Sequence, residues 1–257
     1  MSTWIFLRGL TRETRHWSGF PATFRGTVND ARVVCIDLPG NGCEHHLSSP
    51  LRVEEMAAWC RATTLARGIN PPYRLLAMSL GAMVAVAWTH AYPADVAGCV
   101  LINTSLRPFN PFYRRLRPGN YATLLKLLLP GTSDEAWERT VLRITSSHPD
   151  EQEQLIAAWL AWRRERPVSR INALRQLCAA LSYRAPTAKP QCPTLILASR
   201  GDVLVNPSCS RQIAHLWQAS YCEHPCAGHD IPLDDGTWVA EQVAQWLRFA
   251  IDSQDAS

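Results

Sequence analysis

The chain is 257 residues long, 47% hydrophobic and 19% charged, with a formal net charge of +4. That composition excludes a disordered chain, and the length suits one α/β domain with an insertion, burying roughly three quarters of its unfolded surface. So small a charge, with no recognised base-reading element, also argues against nucleic acid as a partner.

No apolar run reaches the roughly 18 residues of a membrane-spanning helix. The first residues enter a strand without a basic-then-apolar leader, so neither export nor a membrane span is expected. Nine cysteines, an odd number scattered over strand and helix candidates, fit reduced, buried thiols and a cytoplasmic location.

In chain order, Trp4-Ile5-Phe6-Leu7 reads as a first strand, followed by the loop Arg8-Gly9-Leu10. Val33-Val34-Cys35-Ile36 reads as a second, running into the turn Asp37-Leu38-Pro39-Gly40-Asn41-Gly42. A helix is expected over 53–66, with Pro71-Pro72 as punctuation after it. The strands are short continuous apolar runs rather than alternating ones, as in a parallel sheet covered on both faces.

Leu75-Leu76-Ala77-Met78 is the next such run, and it breaks at Ser79 before a helical stretch over 82–92 that stops at Pro93. A strand that becomes a helix within so few residues passes through a strained backbone conformation. Small residues are then required two positions before and after the turn, where Ala77 and Gly81 stand. Such a turn carries the Ser79 hydroxyl at its tip and sets the Leu80 amide at a helix N-terminus, able to donate to a developing oxyanion. By itself the pattern also suits a buried small-residue turn with no chemistry.

The strand candidate Cys99-Val100-Leu101-Ile102 ends at Asn103, which cannot ionise. Between 104 and 189 sheet-like runs cease, and helices are expected over 121–129, 133–144, 150–166 and 169–182. This stretch holds twelve Arg and two Lys against seven Asp and Glu, a balance of +7, so the rest of the chain is net acidic. Arginines on solvated helix faces account for that basicity. The alternative is that Arg107, Arg114, Arg115 and Arg117, or the run 163–166, attract an anionic substrate or an acidic carrier. Trp137, Trp159, Trp162, Phe109 and Phe112 are candidates for an acyl pocket, although aromatic residues at helical spacing more often pack a core.

Strand character returns at Pro193-Thr194-Leu195-Ile196-Leu197-Ala198, and the turn after it carries Asp202. A last strand over 221–224 is followed by Ala227-Gly228-His229-Asp230, a loop with one histidine, and by a helix over 237–251. Cys222, His224, Cys226 and His229 have a spacing that invites a metal. Residues 221–224 are better read as the last strand of the sheet, however, so no metal site is expected there, and no cofactor is called for elsewhere. Cys43-Glu44-His45-His46 lacks a second ligand pair.

The order Ser79, Asp202, His229 resembles that of the α/β-hydrolase superfamily, as do the first strand with its Arg8-Gly9-Leu10 loop and the D-x-P-G-x-G turn at 37–42. The resemblance covers nearly the whole chain. It implies an α/β-hydrolase fold: a mostly parallel central sheet with helices on both faces, a core of 1–103 and 190–257, and a helical cap over 104–189. It also implies Ser79 as nucleophile, His229 as general base, Asp202 as its orienting acid, and the amides of Leu10 and Leu80 as oxyanion donors. The chain loosely resembles the small-capped bacterial carboxylesterases, the pimeloyl-acyl-carrier-protein methyl ester esterases among them, which implies a small-molecule acyl ester or thioester as substrate. An acyltransferase or cofactor-free perhydrolase would use the same three residues, and some members of the fold are non-catalytic binders. Arg8 stands where the family usually has histidine, and either fixes the oxyanion loop or meets a substrate anion. Asp230, Asp234 and Asp235 are expected to bind loop amides or water.

Overall fold

Successive residues of a strand face opposite sides, and the two sides here bury different partners. The computed structural model describes residues 1–252, with side chains through 249. Six strands form one sheet: β1 (Ser2–Leu7), β2 (Ala31–Ile36), β3 (Tyr73–Met78), β4 (Val96–Ile102), β5 (Thr194–Ser199) and β6 (Ser220–His224). Their order is β2-β1-β3-β4-β5-β6. Every pairing among the described residues is parallel, so the sheet is more uniform than the mostly parallel one expected.

Ile5, Leu7, Leu75, Ala77, Cys99, Leu101 and Ile196 face one side, against helices α2 (Val53–Ala66), α3 (Leu80–Ala91) and α9 (Ser208–Trp217). Trp4, Phe6, Leu76, Met78, Val100, Ile102, Leu195 and Leu197 face the other, against α1 (Phe20–Thr27) and α11 (Gly236–Asp252). Both faces of the four inner strands are therefore largely dry. This explains why the strand sequences are continuously apolar.

Between β4 and β5 the chain leaves the sheet as α4 (Phe112–Arg115), α5 (Tyr121–Leu128), α6 (Asp134–Thr145), α7 (Leu155–Glu165) and α8 (Arg170–Ser182). Ser133 and Ser169 cap α6 and α8 by accepting from the amides of Ala136 and Asn172. The helix expected from 150 begins only at Leu155, because residues 150–154 are all polar and offer no apolar stripe to bury. Short turns, such as Glu153 N–H on the Asp150 carbonyl, replace its first turn. A four-residue helix, α10 (Ile231–Asp234), follows β6.

All nine cysteines are free, but Cys43, Cys178 and Cys226 are exposed, which corrects the expectation of uniformly buried thiols. No helix among the described residues is long and apolar enough to cross a membrane.

Candidate functional site

Ser79 joins β3 to α3 with φ 54° and ψ −119°, a conformation that a side-chain-bearing residue adopts only under constraint. The constraint comes from both neighbouring strands. Its N–H donates to the Ile102 carbonyl at 3.0 Å. On the far side of the turn Gly81 passes so close to β1 that a Cβ there would lie 2.5 Å from the carbonyl oxygens of both Leu7 and Arg8. The need for a small residue after the serine is thus a backbone-to-backbone contact. Leu80 opens α3, so its N–H is one of the first-turn amides without a partner inside the helix.

Asp202 and His229 meet although 27 residues separate them: His229 Nδ1 lies 2.7 Å from Asp202 Oδ2, with both side chains almost wholly buried. The other carboxylate oxygen of Asp202 accepts from the amides of Leu204 at 2.8 Å and Val205 at 2.9 Å, which orients the acid. His229 Nε2 has no hydrogen-bond partner among the described residues. Burial acts to lower the His229 pKa, but the charge of Asp202 and its hydrogen bond act against this, aided by the charge of Asp230. The net result lies above the ordinary histidine value.

Ser79, Leu80, Leu10, Arg8, Arg115 and His229 all line one cavity of about 160 Å³, whose remaining wall is mostly apolar, with leucine the commonest residue. Gly9 lets its loop reach the serine, since a Cβ on it would sit 3.2 Å from the Cβ of Ser79. The Leu10 N–H makes no hydrogen bond among the described residues. One pocket therefore combines a strained serine, a histidine nitrogen without a partner and two amides without partners.

A model of the alpha/beta hydrolase family matches residues 4–242. The chain belongs to that family. RutD of Shigella flexneri, whose name puts it forward as a carbamate hydrolase, is 28% identical over 241 residues, spanning 90% of this hydrolase and 85% of RutD. Two solved structures share the fold. A thermophilic esterase from Thermogutta terrifontis aligns with a TM-score of 0.75 and 20% identity over 97% of this chain and 90% of its own. The enol-lactonase from Burkholderia xenovorans LB400 aligns with a TM-score of 0.76 and 17% identity over 96% and 91%.

In this hydrolase Arg8 does not merely substitute for the usual histidine. It pairs with both carboxylate oxygens of Asp230, at 3.1 Å and 2.5 Å, and stacks on Trp17. Asp230 is therefore an ion-pair partner, not the loop-amide ligand expected. The residue after His229 is tied to the residue before Gly9. Asp234 does bind loop groups, accepting from the amides of Gly228 and Ser147 and from the hydroxyls of Ser146 and Ser147. Asp235 accepts from the Trp238 amide.

Sequence reasoning missed three supporting roles, one of them that of Arg117, which it had offered to an anionic substrate. Asn103, just past the end of β4, donates through Nδ2 to the His229 carbonyl at 2.8 Å and accepts from the Ser199 amide at 3.0 Å. Arg117 donates to the Asp202 carbonyl at 2.9 Å. Gln176 of α8 accepts from the Thr11 amide at 2.8 Å and donates to Asn41 Oδ1 at 2.7 Å, while Asn41 donates to the Arg12 carbonyl. Asn41 belongs to the D-x-P-G-x-G turn, whose signal was legible; Gln176 carried none.

Several candidates lie elsewhere. Arg114 is exposed and off the cavity wall. Arg163 pairs with Asp134 and Glu138. Of the five aromatic candidates only Trp137 lines the cavity. Trp159 lies under the Arg12 guanidinium, Trp162 under that of Arg15, Phe109 packs on Trp217, and Phe112 is exposed.

Proposed function

We propose that this hydrolase cleaves carboxylic esters or thioesters through an acyl-enzyme on Ser79. The observation that carries this reading is His229, held at Nδ1 by Asp202 while Nε2 stands without a partner in the wall of the cavity that Ser79 also lines. A serine hydroxyl is a weak nucleophile at its free pKa, so the histidine removes its proton as the oxygen attacks the acyl carbon. Asp202 fixes the tautomer that leaves Nε2 basic and stabilises the imidazolium that forms. The amides of Leu10 and Leu80 receive the tetrahedral oxyanion; donors of this kind contribute roughly 3–4 kcal/mol each to the transition state. His229 returns its proton to the leaving group, and water then repeats the sequence on the acyl-enzyme. Residues 104–189 act as a cap, with α5, α6 and α8 supplying the apolar wall opposite Ser79.

A carbamate is the second bond class. The same attack on a carbonyl would cleave it, and the likeness to RutD favours its inclusion.

Labelling with a fluorophosphonate tests the reading. The wild-type protein is expected to take one adduct, on Ser79, and Ser79→Ala none; a folded wild type that stays unlabelled overturns it. The pH profile offers a second check. His229 works only when neutral, and its pKa is raised, so kcat/KM should fall on the acidic side with an inflection above pH ~6.5. In Asp202→Asn, which removes the charge responsible, that inflection should move to lower pH.

A further inference from the structure

Three arginines line the cavity that holds Ser79: Arg8, Arg12 and Arg115. Two of them are neutralised by buried carboxylates, Arg8 by Asp230 and Arg12 by Glu138, each at 2.5 Å. Arg115 is equally buried, 6% exposed, yet no carboxylate among the described residues pairs with it, and its bonds go to backbone carbonyls. Its Nη1 and Nη2 donate to the carbonyls of Leu181 at 3.2 Å and Ala180 at 2.5 Å, and its Nε has no partner among the described residues.

Those two carbonyls belong to the last turn of α8, where the helix end carries about half a negative charge. A full guanidinium charge is thus only partly balanced, and the Nε edge, the side of the fork that takes a carboxylate bidentately, is unfilled. Burial, with the like charge of Arg107, lowers the Arg115 pKa to about 10, so the side chain remains cationic at neutral pH. Leaving such a group short of a counter-charge in an apolar wall is costly unless a ligand completes it.

We propose that Arg115 is the specificity residue of this hydrolase and receives a carboxylate borne by the acyl part of the substrate. This rests on the esterase reading above. The apolar wall between the serine and the arginine takes the hydrocarbon of the acyl group. A cavity of about 160 Å³ compares with the roughly 150 Å³ apolar cavity that accepts benzene, so a chain of about six carbons fits. The substrate class is an ester or thioester of a short acid carrying a second, free carboxylate. Arg114, its exposed neighbour, takes no part.

The test uses two p-nitrophenyl esters of equal chain length, the hexanedioic acid monoester and the hexanoate. The ratio of their kcat/KM values should favour the anionic ester in the wild type. In Arg115→Gln it should fall about tenfold to a hundredfold, chiefly through KM, as expected for loss of a charge-assisted contact. Arg115→Lys should restore part of it, and Arg114→Gln should leave it unchanged. A wild type that prefers the hexanoate overturns the proposal. So does an Arg115→Gln variant that loses both substrates in proportion, because a staple between α4 and α8 would do that. Calorimetric binding of hexanedioate to Ser79→Ala reads the same contact without turnover. Binding there that Arg115→Gln abolishes, together with a wild type that hydrolyses neither ester, would refute the esterase reading while sustaining Arg115; equal binding with and without the arginine would refute Arg115 alone.

Discussion

Asp202→Asn is expected to leave a folded protein whose kcat is lower by about 10⁴-fold, the loss the same exchange produces in serine proteases. The reason lies in which oxygen is committed. Oδ1 of Asp202 accepts two backbone amides, from Leu204 and Val205, so an asparagine keeps its carbonyl oxygen there to preserve both bonds. Its NH₂ group then faces His229 Nδ1, which must accept instead of donate. The ring proton moves to Nε2, and the nitrogen that should take the serine proton already carries one. Loop geometry survives and the base does not. Steady-state kinetics beside a thermal melt would check this, and near-normal turnover would move the search for the acid away from Asp202.

Asp230→Ala should be costly in a different way. Arg8 is 3% exposed, and without Asp230 its charge would be buried with no counter-ion. Removing one member of such a pair costs about 3–5 kcal/mol, which for a chain of this size lowers Tm by on the order of 10 °C. Replacing both members, as Arg8→Met with Asp230→Leu, should recover most of that stability, since two apolar groups leave nothing unpaired. Activity should not return with it. The pair ties the loop that carries Leu10 to the loop that carries His229, and packing alone does not fix their separation. A double-mutant cycle read in both Tm and kcat separates these effects, and full activity in the stable double variant would show that the pair is only structural.

How much of this was legible in the sequence depended on whether the determinant was local. The continuous apolar strands, the helical stretches that begin near 133 and 169, and the order Ser79, Asp202, His229 each express themselves within a few residues or in chain order. The Arg8 and Asp230 pair spans 222 positions and the Gln176 bond to the Thr11 amide 165. No spacing rule connects such residues; only the assembled fold brings them together. Arg114 and Arg115 show the same limit at short range. They are neighbours on one four-residue helix, and which of them turns inward is decided by the end of α8 that receives it. Asn103 was read correctly as unable to ionise, but its task of holding the His229 loop follows from β4 ending beside that loop.

Gln176 has a consequence for how this protein can be rebuilt. It is wholly buried, and its one amide group joins α8 to the Thr11 backbone, Asn41 and Ser49. The helices between β4 and β5 are therefore not a detachable module set on a finished enzyme. A chimera that imports this segment from another hydrolase would have to bring a matching amide at the same height, or re-engineer the Asn41 turn to do without one. The helical wall of the pocket and the turn beneath it are inherited together.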